Sequence, residues 1–124
     1  MKLRFVQGRY AVARLSADTP VPDWVSGPGF MAIVRADDEL TIVCSDDQVP
    51  ADVEAERGWV CFRTIGPIPF QATGVVKSLI DPLSSSGIGV FVVCTYDGEH
   101  LLVAERDRSK TVDLLMNSGQ YFII

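Results

Sequence analysis

His100 is the only histidine in the chain, so any Ser–His–Asp or Cys–His device would have to use it. It follows the Asp97-Gly98 pair and is flanked by Glu99 and Leu101. That position reads as a solvent-facing residue at a strand edge. Cys44, Cys61 and Cys94 are widely spaced and form no CxxC. Each lies in an apolar run (TIVCS, WVCFR, VVCTY), the setting of a small buried thiol rather than of a metal ligand. The neighbouring acids Asp37-Asp38 and Asp46-Asp47 fall in polar stretches, where solvated carboxylates serve as turn formers. Neither GxGxxG nor a Walker loop occurs. Without an acid–base pair, a metal set or a phosphate cradle, catalysis is not expected, nor is any metal or cofactor.

One stretch could still bind a ligand. Ala72-Thr73-Gly74-Val75 precedes a helical pattern. A helix start leaves backbone N–H groups free and carries partial positive charge, so it can hold a carboxylate. Gly74 would let the ligand approach the backbone. Asp97 and Glu99 could face an ammonium or guanidinium group. Together these features match an amino-acid zwitterion. A second reading needs no ligand: Gly74 serves only a tight strand–helix turn.

The elements that must position these residues are legible in the second half. Apolar residues at Val75, Val76, Leu79, Ile80 and Leu83 mark one helix face. Thr73 is the expected N-cap, Pro82 a late bend or end, and Ser84–Ser86 with Gly87 the stop. Ile88–Thr95 is almost wholly apolar and predicts a central strand buried on both faces. Asp97-Gly98 predicts a hairpin turn into a strand at His100–Ala104. Asp107 is expected to cap a second helix that buries Val112, Leu115 and Met116. Gly119 closes it before a last strand, Gln120–Ile124.

The first half alternates as strands. LRFVQGRYAVARL (residues 3–15) carries two β-rich clusters with Gly8 between them. The loop SADTPVPDWVSGPG has three prolines, which exclude a long helix. Phe30–Val34 and Leu40–Cys44 form a hairpin around the polar turn Arg35–Glu39. Asp46–Val53 has room for one helical turn, and Gly58–Ile65 is a strand broken by GPIP. The expected fold is α+β and ferredoxin-like, an antiparallel sheet with helices on one face. Tandem βαββαβ-type units fit the order of elements. Residues 1–64 form a unit whose helices are reduced to loops, 60–124 a complete one, and the strand 58–65 is shared.

Composition narrows the partners. The 124 residues carry a formal charge of −5 and show no basic stripe, so neither nucleic acid nor an anionic membrane is expected as a partner. Trp24, Trp59 and Phe62 read as core, not as base-stacking platforms. MKLRFVQGRY has no apolar core of a secretory signal, and no run approaches the ~20 residues of a membrane span. Scattered free thiols fit a reducing cytoplasm.

The residues also carry a family resemblance. RYAVARL, PVPDW, DELTIVC, Val49-Pro50 and Gly58-Trp59 support it in the first half. GPIPF, TGVVKSLIDPL, GIGVFVVCTYDGEHLLV and Glu105–Asp107 support it in the second. In order and spacing the chain resembles the small stand-alone ACT-domain proteins, the group related to the CASTOR-type cytosolic arginine sensors. The resemblance implies paired ACT-like units, a homodimer with ligand sites at unit interfaces, allosteric binding of a small molecule such as an amino acid, and no catalysis. Carried over by position, the pocket would comprise Thr73, Gly74, Val75 and Val76 at the helix start. Gly89 and Val90 would come from the strand of a facing unit, and Thr95, Tyr96, Asp97 and Glu99 from the hairpin. The sensors place an aspartate where this chain has Glu99. Any regulated enzyme is expected to be a separate chain. The alternative is a dimerisation or interaction domain that has lost its ligand.

Overall fold

In the computed structural model, which describes every residue except Gly27, the two β-rich clusters around Gly8 belong to one strand. Strand β1 spans Lys2–Leu15, and Gly8 continues it at φ +101°, a conformation glycine adopts without steric penalty. There follow β2 (Ala32–Arg35), β3 (Leu40–Ser45), β4 (Ala55–Thr64), α1 (Val75–Ser84), β5 (Phe91–Cys94), β6 (Glu99–Ala104), α2 (Arg108–Asn117) and β7 (Phe122–Ile123). The chain divides into two compact units, one of Gln7–Trp59 and one of Met1–Val6 with Val60–Ile124.

In the unit of Gln7–Trp59, β3 lies antiparallel between β2 and β1. The pairs Ala11↔Cys44, Ala13↔Ile42 and Leu15↔Leu40 place one set of side chains on a common face. That face builds a core with Val49, against which Trp24, Val25 and Val53 pack partly buried. A single 3₁₀ turn, Asp46–Gln48, is all the helix the unit has among the described residues. Asp46 pins it by accepting from Arg57 at 3.1 Å and from the Gly58 N–H at 2.9 Å. The Tyr10 hydroxyl accepts the Phe30 N–H at 3.2 Å and donates to the Gln7 carbonyl at 3.1 Å. β2 starts two residues later than expected, and β4 starts three residues earlier. Trp24 and Trp59 are half-buried, whereas Phe62 is sealed. Gly27, one of the loop-forming glycines of the proline-rich stretch, lies outside the described residues.

The other unit is a sheet with the strand order β7-β1-β4-β6-β5. β7 pairs parallel with β1 through Lys2↔Phe122 and Leu3↔Ile123. β5 and β6 form the antiparallel hairpin. Side chains of alternate strand residues, Leu3, Val60, Phe62, Leu101 and Val103, meet Leu79 and Leu83 of α1 and Leu115 of α2 in one core. This is the α+β, ferredoxin-like arrangement, an antiparallel sheet covered by few helices.

Several local expectations are corrected here. The Ile88–Thr95 run does not form a central strand. β5 is confined to Phe91–Cys94, it ends the sheet, and it is only half-buried. Its apolar prefix is used differently: Ile88 and Val90 pack on the core ahead of the strand. His100 is not solvent-facing: it lies on β6, between β4 and β5, and its side chain is buried. Cys44 and Cys61 are buried thiols, but Cys94 is exposed at the end of the edge strand. On α2 the sealed positions are Thr111 and Leu115, while Met116 stays 43% exposed. Pro82 sits inside α1, which continues to Ser84.

Candidate functional site

The N-cap of α1 is Gly74 and not Thr73. Gly74 takes the left-handed conformation (φ 77°, ψ 0°), and neither a side-chain cap nor an acid occupies the first turn. The first intrahelical bond runs from the Ser78 N–H to the Gly74 carbonyl at 2.9 Å. The amides ahead of Ser78 therefore precede the intrahelical ladder, and a Cβ at Gly74 would meet nothing within 4 Å. Thr73 and Val76 are exposed and Val75 is half-buried.

A polar cluster underlies this helix start. Ser78 Oγ and Tyr121 Oη lie 2.6 Å apart, and both face the Val75 carbonyl, at 2.8 Å and 3.4 Å. Tyr121 is brought there by the chain segment leading into β7. Burial pushes its hydroxyl pKa up, the Ser78 hydrogen bond opposes the shift, and the negative charge of Glu99 adds to it. Glu99 thus acts electrostatically on the floor of the helix start. Its backbone N–H donates to Thr64 Oγ1 at 2.9 Å, and its carboxylate lies 3.4 Å from the same hydroxyl. A cavity of about 270 Å³ beside the cluster is lined by Gly74, Lys77, Ser78, Asp81 and Gln120. Lys77 and Asp81 pair across one helical turn.

The hairpin tip belongs to another cavity, of about 530 Å³, shared by Tyr96 and Asp97 with Pro67, Ile68 and Phe70. Thr95 closes the turn by donating from N–H and Oγ1 to the Gly98 carbonyl at 2.7 and 3.2 Å. Gly98 does not take a positive φ. It is needed because a Cβ there would collide with Thr64 Oγ1. Gly89 is exposed and Val90 packs on the core, and neither is among the lining of these two cavities. Within one chain the structure therefore groups Gly74 and Val75 with the Tyr121 cluster on which Glu99 acts, and it places Tyr96 and Asp97 elsewhere. A cavity of about 500 Å³ in the other unit is lined by Gly8, Arg9, Ser45, Asp46 and Asp47.

Reading the residues in order missed Ser78, Tyr121, Thr64 and Phe70. Ser78 had a signal, since it lies one helical turn from Gly74. Tyr121 and Thr64 had none, because strand pairing alone brings them to the site. Burial, with Arg63 adding, pushes the His100 pKa down to about 4, so the ring is neutral at pH 7. Burial pushes the Cys61 thiol up to about 12, which makes it a poor nucleophile at pH 7. No group of three or more metal-ligating residues occurs among the described residues. Among them, no helix is long and apolar enough to cross a membrane.

A ferredoxin-like sheet with two covering helices and an open helix start is the architecture of an ACT domain. The ACT-domain family model matches residues 54–117, and a second family model, for an N-terminal domain, matches residues 8–52. The chain belongs to the ACT-domain family. It is similar to an Agobacterium tumefaciens protein of known crystal structure, at 51% identity over 99% of this chain and 91% of that one (TM-score 0.93). A Vibrio cholerae protein described as of unknown function, a possible transport protein, shares 18% identity over 96% and 90% of the two chains (TM-score 0.76). E. coli aspartokinase III, solved with aspartate and ADP, shares 14% identity over 94% of this chain and 32% of that one (TM-score 0.65). These last two likenesses concern the fold alone.

Proposed function

We propose that the chain is a non-catalytic regulatory protein that binds a small ligand, an amino acid, at a homodimer interface, and that it is related to the CASTOR-type sensors. The observation that carries this reading is the uncapped start of α1, with Gly74 open above a Ser78–Tyr121 floor on which Glu99 acts. The ligand's carboxylate takes the free N–H groups around Val75 and Val76, beside Thr73. Its ammonium or side-chain cation goes to Glu99. Gly89 and Val90 contribute from the facing copy. Asp97 and Tyr96 stay out of this pocket because they line the other cavity, and Thr95 serves to hold the turn. By bridging two copies, the ligand shifts the balance of interface geometries by its differential affinity for them. A separate enzyme in the cytoplasm reads that change. In this scheme residues 1–64 are a degenerate ACT-like unit and 60–124 a complete one, sharing the strand 58–65.

A thermal-shift screen against the twenty amino acids at millimolar concentration tests the proposal. A ligand at 100 times its Kd stabilises the fold by about 2.7 kcal/mol. Glu99→Gln should abolish that shift and leave the ligand-free melting temperature almost unchanged. If no amino acid shifts the melting of a protein shown to be dimeric, the ligand part fails. A second reading then stands, an interaction domain without ligand. The exposed Met31, Ile33 and Val34 at the β2 edge favour it.

A further inference from the structure

The cavity under the hairpin tip has no part in the pocket just proposed, yet it is built with some care. Phe70 and Tyr96 are the most exposed large apolar side chains in the chain, at 74% and 80%. Leaving two such rings in water forgoes burial worth roughly 1.5–3 kcal/mol each. They stand against one another, with centroids 5.4 Å apart and planes at 35°. The Ile68 N–H donates to the Asp97 carbonyl at 2.9 Å, clamping the Gly66–Gln71 loop onto the hairpin. Gly66 permits that approach, because a Cβ there would lie 2.6 Å from the Ile68 nitrogen and 2.9 Å from the Asp97 oxygen. Gly98 permits the approach of Thr64 on the far side. One backbone hydrogen bond and the close approach of Gly98 to the Thr64 side chain thus hold the loop and the hairpin together, and Phe70, Tyr96 and Asp97 line one open cavity of about 530 Å³.

We propose that this cavity binds a small organic ammonium ion, held by the Phe70 and Tyr96 rings and by the Asp97 side chain. Aromatic faces carry negative quadrupole potential and attract cations that shed little hydration, of which alkylated ammonium is the best example. Asp97 adds a formal negative charge at the rim, and among the described residues no lysine or arginine lines the cavity to compete for it. The formal charge of −5 favours the approach of a cation. An anion or a neutral apolar ligand would use the rings but gain nothing from the acid. The site is independent of the helix-start pocket, which depends on Gly74 and Glu99.

Choline and its neutral isostere 3,3-dimethylbutan-1-ol separate these chemistries, followed by NMR of the Phe70 and Tyr96 ring protons in the full chain. Saturable choline binding is expected, at least about tenfold tighter than the alcohol, a difference of about 1.4 kcal/mol. Asp97→Asn should remove that preference, and Tyr96→Ala or Phe70→Ala should abolish the binding. Both rings are largely in water, so neither substitution should disturb folding, and far-ultraviolet circular dichroism checks this. Glu99→Gln should leave choline binding intact while it abolishes any amino-acid shift, so each proposal can fail without the other. Equal affinity for choline and the alcohol, or binding unaltered by Asp97→Asn, overturns the inference. So does the absence of saturable shifts up to about 50 mM choline.

Discussion

His100 shows how far a residue's surroundings can depart from its place in the sequence. Beside Glu99 just past a turn it reads as exposed, but in the fold it is buried, and burial, with the positive charge of Arg63 adding, pushes its pKa down to about 4. An ordinary unfolded histidine has a pKa of about 6.5, so the unfolded chain binds the extra proton first as pH falls. The stabilising effect of the neutral ring is fully present above pH 6.5. It is lost as pH drops towards 4 and falls no further below that. The shift corresponds to about 3 kcal/mol at most. His100→Gln should flatten the pH dependence of stability between 6.5 and 4, as measured by urea unfolding. Gly98 makes the same point through space rather than charge. An added Cβ would lie 2.4 Å from Thr64 Oγ1, so Gly98→Ala should cost roughly 1–3 kcal/mol. In a Thr64→Ala background that penalty should shrink, and a double-mutant cycle measures the difference.

At the scale of elements, the two helices differ in how clearly their buried face can be read. α1 keeps Leu79 and Leu83 one turn apart and fully buried, as its apolar spacing demands. Leu83→Ala should therefore destabilise the chain by about 2–5 kcal/mol in chemical denaturation. α2 buries Thr111 and Leu115 and leaves Met116 out, so its stripe begins on a residue that looks polar. The threonine methyl can line a core, which hydropathy alone does not register. β5 fails for a different reason. The almost wholly apolar run Ile88–Thr95 has the composition of a central strand, but only Phe91–Cys94 pairs, and on one side only. The Lys77–Asp81 pair is exposed on α1 and contributes little to stability.

At the scale of the whole molecule the proposed function makes a prediction about assembly. The proposed amino-acid pocket is completed by Gly89 and Val90 of a second copy, so it requires a dimer. Static light scattering should give twice the 13.6 kDa chain mass, and added ligand should sharpen that value if it bridges the copies. A monomer at micromolar concentration with an undiminished amino-acid response would remove the interface from the mechanism. The two hairpin acids have separate surroundings. Glu99 faces Thr64 and acts on Tyr121, while Asp97 stands with Phe70 and Tyr96.

The sequence by itself determined the order of strands and helices, the hairpin at Asp97-Gly98, the glycine at the start of α1 and the ACT-domain resemblance. These depend on periodicity, turn chemistry and motif spacing, all of which are local. Only the tertiary structure decided that β5 is an edge, that His100 is buried, that Cys94 is exposed, and that Tyr121 and Thr64 join the helix start and Glu99. It also decided that Tyr96 and Asp97 belong with Phe70. Each of these depends on pairings between residues tens of positions apart. Alternation along one strand shows which side chains share a face, but it cannot show which strand, loop or helix will cover that face.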